Sequence, residues 1–114
     1  DKKIKCSTIN LDTMIEKFGK PDFIKIDVEG YELEVLKGLN NKIGIVSFEW
    51  TEEEIERVIN CVLHLKSINY KEFSYTENDK FNLDSLKFSK WEDLDILDDI
   101  DLDRKLKWGM IYCR

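Results

Sequence analysis

The chain has 114 residues, enough for one domain. Hydrophobic residues make up 42% and charged residues 37%, with five Gly and one Pro; this is the balance of a soluble globular protein, not of a disordered or collagenous chain, and no apolar run approaches the ~20 residues that span a bilayer. Eighteen Lys and Arg stand against 24 Asp and Glu, and the net charge of −6 repels phosphate backbones, so neither nucleic acid nor a membrane is expected as a partner.

Residues 4–9 alternate weakly and read as a short extended segment. Leu11, Met14, Ile15 and Phe18 then recur at i, i+3, i+4, i+7, one face of a short helix, with Asn10 as its N-cap and Gly19 and Pro21 as its stop. Residues 23–28 (Phe-Ile-Lys-Ile-Asp-Val) form a dense apolar run that reads as a buried strand broken by Gly30. Residues 31–39 follow as a helix, with acids at its N-terminal end and Lys37 near its C-terminal end, as the helix dipole favours. Residues 43–50 form a second strand. Strand, helix and strand in so short a span predict a βαβ unit with parallel strands.

Thr51 and Glu54 have the spacing of a capping box for the next helix, whose apolar stripe is read as Ile55, Val58, Ile59, Val62, Leu63 and Leu65, closed by Asn69. Residues 71–76 read as a strand with Phe73 and Tyr75 on one face. Residues 78–90 read as a polar loop with Phe81, Leu83, Leu86 and Phe88 tucked under it, and residues 91–102 as a short helix. Residues 107–114 end the sequence as a strand.

Chemistry concentrates at Lys25-Ile26-Asp27-Val28-Glu29-Gly30. Asp27 and Glu29 stand at the carboxyl end of a buried parallel strand, and Glu49 near the carboxyl end of the next. Ligands of open α/β sheets bind in the crevice beyond those ends. Carboxylates there can take a proton from a hydroxyl, hold a cation or bind ribose hydroxyls, and Gly30 lets the backbone turn sharply and a ligand approach. The competing reading is that Glu29 and Glu32 only face a helix N-terminus.

Other polar features carry less. Glu92 to Asp103 holds seven acids in twelve residues, but lacks the Gly and the closing Glu of an EF-hand loop and reads as solvated surface. His64 has no second His to work with, and Trp50, Trp91 and Trp108 read as core or rim. Cys6, Cys61 and Cys113 form no metal spacing and read as reduced thiols of a cytoplasmic protein. No metal site is proposed. No two glycines are two residues apart, so neither a GxGxxG loop nor a P-loop occurs.

Thr8-Ile9-Asn10-Leu11-Asp12, the eighteen positions from Pro21 to Gly38, Phe48-Glu49 and Trp108-Gly109-Met110-Ile111-Tyr112 together resemble the FkbM-type methyltransferases, over the C-terminal half of that family's domain. The resemblance implies an α/β fold, the C-terminal half of a class I, Rossmann-like methyltransferase sheet: a parallel βαβ unit plus an antiparallel closing strand. The Asp27 strand would be outermost, then the Glu49 strand, the closing strand and the Phe73 strand, with helices on both faces. It implies S-adenosylmethionine as cofactor and a small-molecule hydroxyl, on a sugar or similar compound, as methyl acceptor. Asp27, Glu29 and Glu49 would be the catalytic-side residues, and Asp27 and Gly30 would touch the cofactor.

Residues 1–114 are therefore expected to be one partial methyltransferase domain without the glycine-rich, cofactor-binding N-terminal half. Alone it should bind the cofactor weakly or not at all and be inactive, with the Asp27 strand an exposed edge able to pair. The alternatives are a non-catalytic α/β binding module that pairs at that edge, and an inactive product of a truncated gene.

Overall fold

The computed structural model describes residues 10–28, 30–77, 86–94, 96 and 108–114. Their elements are α1 (Leu11–Phe18), β1 (Phe23–Ile26), α2 (Glu32–Leu36), β2 (Ile45–Thr51), α3 (Ile55–Ser67), β3 (Phe73–Glu77) and β4 (Trp108–Cys113), with single 3-10 turns at Glu52–Glu54 and Trp91–Asp93.

Helix α1 begins at the expected cap: Asn10 Oδ1 accepts the Asp12 N–H at 2.8 Å. Asp12 then ties α1 to the chain leaving α2. Its N–H donates to the Gly38 carbonyl at 3.0 Å, and its carboxylate accepts from the backbone N–H and side-chain amide of Asn40.

Strands β1 and β2 pair in parallel, from Phe23 with Ile45 to Ile26 with Phe48, which is the expected βαβ unit. Helix α2 is shorter than the 31–39 read from the sequence. The N–H groups of Gly38 and Leu39 reach back only three residues, to Val35 and Leu36, and these tight turns bring Leu39 into full burial. Strand β4 runs antiparallel between β2 and β3, giving the order β1-β2-β4-β3 that the resemblance implies. The result is a mixed α/β sheet, compatible with a Rossmann-like fold, in which β1 is the outermost described strand.

The register separates two faces. One carries Ile24, Val46, Cys113 and Phe73 in a row, then Ile26, Phe48, Ile111 and Tyr75. These residues share the core with Val58, Cys61, Val62 and Leu65 of α3 and Leu36 of α2. The other face carries the polar row Lys25, Ser47, Tyr112 and Ser74, then Glu49, Met110 and Thr76. Of the helices expected on both faces, α2 and α3 belong to the first.

Several expectations change. Thr51 is the last residue of β2 and makes no side-chain cap; Glu54 pairs with Arg57 at 2.6 Å, so the capping box does not form. The buried stripe of α3 is Val58, Cys61, Val62 and Leu65, and Leu63 is 56% exposed on its outer side. Cys61 completes the i, i+3, i+4, i+7 spacing that Leu63 breaks. His64 is half-buried, with Nε2 2.9 Å from the Leu39 carbonyl, and ties α3 to the crossover. Strand β3 starts at Phe73, flanked by a two-way backbone bridge to Ser89. Of the expected helix at 91–102, a 3-10 turn and the buried Ile96 are described. The extended segment at 4–9, Cys6, Phe81, Leu83 and the EF-hand-like stretch at 99–103 lie outside the described residues.

Two contacts fix the sheet. Tyr70, fully buried after α3, donates its hydroxyl to the Ile43 carbonyl, lies 2.9 Å from the Gly44 carbonyl and accepts the Ile43 N–H at 3.2 Å. Burial raises the Tyr70 phenol to about 12. At the other end, Trp50 donates Nε1–H to the Thr76 carbonyl at 3.0 Å, which requires β4 to pass close below. Gly109 allows this, since a Cβ there would lie 1.8 Å from the Thr76 oxygen and 2.7 Å from Trp50 Nε1.

Tyr70→Phe leaves the Ile43 groups buried and unpaired and should lower unfolding free energy by about 1–3 kcal/mol in urea titration. Gly109→Ala must push β3 or the Trp50 ring aside and should cost about 3 kcal/mol by the same measurement.

Candidate functional site

The site lies where β1 and β2 end. Ile26 and Phe48 are register partners, so the next residues, Asp27 and Glu49, follow at the same level of two adjacent parallel strands. Asp27 is exposed and has left the strand, while Glu49 is half-buried within β2. Glu49 falls on the polar face of the sheet, next to its partner Met110.

After Asp27 the chain turns at once. The Tyr31 N–H donates to the Val28 carbonyl at 3.1 Å, closing a four-residue turn with Gly30 in its third place. Gly30 has φ of +90°, in the left-handed region that favours glycine. The turn delivers the chain into α2, whose second function is to bring Glu32 back under it. Both carboxylate oxygens of Glu32 accept the Gly30 N–H, at 3.1 and 3.2 Å. Glu32 is only 6% exposed.

From α3, Arg57 lies over the same glycine: a Cβ on Gly30 would sit 2.9 Å from Nη1. The guanidinium pairs with Glu54. Burial pushes the Glu32 carboxyl above its usual range, against the pull of its backbone hydrogen bonds and Arg57. Cys61, packed nearby in α3, is pushed up to about 12, first by burial and then by the negative charges of Glu32 and Glu34. Such a thiol is protonated and inert at neutral pH.

Gly30, Glu32, Phe48, Glu49, Thr51, Glu54, Arg57, Val58 and Cys61 line a cleft of about 20 Å³, room for a water molecule. Of the residues chosen from sequence, the structure therefore brings Gly30 and Glu49 to one cleft. Asp27 stands exposed beside it and is not part of its lining, and Glu29 lies outside the described residues. Glu32, Arg57 and Glu54 were not chosen as site residues. The spacing Glu29-Gly30-Tyr31-Glu32 contains the signal, an acid two residues past a turn glycine, but only burial separates a loop anchor from a solvated acid. Among the described residues, no three His, Cys, Asp or Glu side chains group as metal ligands. Among them, too, no helix is long and apolar enough to cross a membrane.

Comparison with known proteins agrees with the motif. One curated relative, the hexuronic acid methyltransferase AglP of Haloferax volcanii, is 49% identical over 43 residues, covering 36% of this chain and 18% of its own length. The chain thus spans less than a fifth of that relative. No solved structure matches. The methyltransferase FkbM domain profile matches residues 1–72, well over half of the sequence, so the resemblance read at Trp108–Tyr112 lies beyond the match. On that match, the chain belongs to the FkbM methyltransferase domain family.

Proposed function

We propose that this chain is the acceptor-side, C-terminal part of a class I, S-adenosylmethionine-dependent methyltransferase domain that methylates a hydroxyl of a sugar or another small molecule. The observation that carries the reading is the family match together with Asp27, exposed one residue past the end of β1 at the level of Glu49. AglP's hexuronic acid puts a sugar among the acceptors to test. A cytoplasmic location belongs to the same proposal, and the free, buried thiols of Cys61 and Cys113 support it.

The residues present do not fit the whole cofactor. Sites for molecules of that size hold roughly 300–1,000 Å³, and the cleft at the strand ends holds about 20 Å³. The sequence has no glycine-rich loop to cradle an adenosyl group. In this proposal the cradle belongs to another part of the methyltransferase.

What these residues can do concerns the acceptor. Asp27 accepts a hydrogen bond from the acceptor hydroxyl and takes its proton as the oxygen becomes nucleophilic. Proton removal of this kind contributes about 10²–10⁴-fold, and fixing the hydroxyl's direction contributes more. Glu49 walls the neighbouring side, and Gly30 keeps the turn free of a side chain. A second reading, a non-catalytic module that pairs through β1, draws on β1's place at the end of the described sheet.

In a methyltransferase carrying this chain, Asp27→Asn should lower kcat for methyl transfer to a hydroxyl acceptor by about 10²-fold or more. An unchanged kcat would remove Asp27 from the chemistry, and absence of transfer in the unaltered protein would favour the binding module.

A further inference from the structure

Glu32 is the buried charge that the proposed reaction leaves unused. A carboxylate taken out of water is costly unless every lone pair finds a donor. The donors the Glu32 carboxylate finds are backbone groups, its own N–H and, shared by both oxygens, the Gly30 N–H. A neutral acceptor of the same size would satisfy that N–H without burying a charge.

The charge does not serve stability at neutral pH. Burial raises the folded-state pKa of Glu32 above its unfolded value. The stability this provides is full below the unfolded pKa and is lost as pH rises through the folded one. A charge on Glu32 is therefore a net cost to the fold, and such costs gather at functional sites.

The geometry supplies the reason. Gly30 gives its N–H to the Glu32 carboxylate and lies under the Arg57 guanidinium, and its turn begins one residue after Asp27. We infer that Glu32, with Arg57, is a positioning residue that fixes the Val28–Tyr31 turn and thereby the direction Asp27 presents to the acceptor hydroxyl. This rests on the methyl-transfer reading of the same site. The charged and titratable groups facing Glu32 are Arg57 and Glu54 from α3 and its leading turn, and the Cys61 thiol, which also feels Glu34.

The test follows the Gly30 amide by ¹⁵N NMR in this chain, which needs no catalysis. Its resonance should move with pH in one step, centred above the range of a free carboxylate. In Glu32→Gln that step should vanish with no fall in thermal stability at neutral pH. In Glu32→Leu, amide exchange at Gly30 should quicken about tenfold or more, the loss of a charge-assisted hydrogen bond. In a methyltransferase carrying the chain, Glu32→Gln should cut kcat about tenfold and leave KM for the acceptor nearly unchanged, as a misdirected but still bound hydroxyl requires. A Gly30 amide that ignores pH in the unaltered chain, or titrates identically in Glu32→Gln, overturns the clamp. An unchanged kcat in Glu32→Gln, where Asp27→Asn is crippled, overturns the positioning role and leaves the methyl-transfer reading standing. If both variants turn over normally, the methyl-transfer reading of the site fails while the amide titration still reports the clamp.

Discussion

The parallel pairing of β1 with β2 is the constraint on which the remaining structure depends. Four register pairs, Phe23 with Ile45 to Ile26 with Phe48, set the two strands level. A parallel pair needs a crossover, and here it is short: a turn at Gly30, five residues of α2 and tight turns to Leu39. That brevity forces α2 close to the strand ends and places Glu32 beneath the turn. It also sets Asp27, just past β1, at the level of Glu49 within β2.

The two ends of β2 are held by polar groups of different character. At the amino end Tyr70 is neutral and satisfied, giving and receiving hydrogen bonds at Ile43. It welds the start of β2 to the segment between α3 and β3. At the carboxyl end the Glu32 carboxyl group accepts the Gly30 N–H, and the Arg57 guanidinium lies over that glycine. A scaffold contact has no need of a buried charge. A contact that must hold a loop beside a reacting group gains from one, because a hydrogen bond to an ionised acceptor is stronger than one between neutral groups.

Much of the fold was legible in local pattern. Asn10 and the 11-14-15-18 spacing located α1, and the run from Phe23 located β1. The sheet order came through the family resemblance, since nothing local in the sequence says that β4 inserts between β2 and β3. What failed did so where tertiary contacts override local rules. Thr51 had the spacing of a cap, yet pairing with Trp108 kept it in β2, while Arg57 captured Glu54. Leu63 read as core because it is apolar; the smaller Cys61 occupies the position that faces the sheet. At the site, the turn glycine and the strand-end acids were visible, but the anchor was not. Glu32 is one of three glutamates within six residues, and burial alone distinguishes it.

In the proposed function, this chain forms the wall that faces the acceptor and the methyl donor is held elsewhere. Calorimetric titration of the purified chain with S-adenosylmethionine, after circular dichroism shows the α/β fold intact, tests it most directly. The folded chain should give no saturable heat. Saturable binding with an affinity on the order of micromolar would contradict it, because a complete cofactor site would then have to be assembled from these 114 residues.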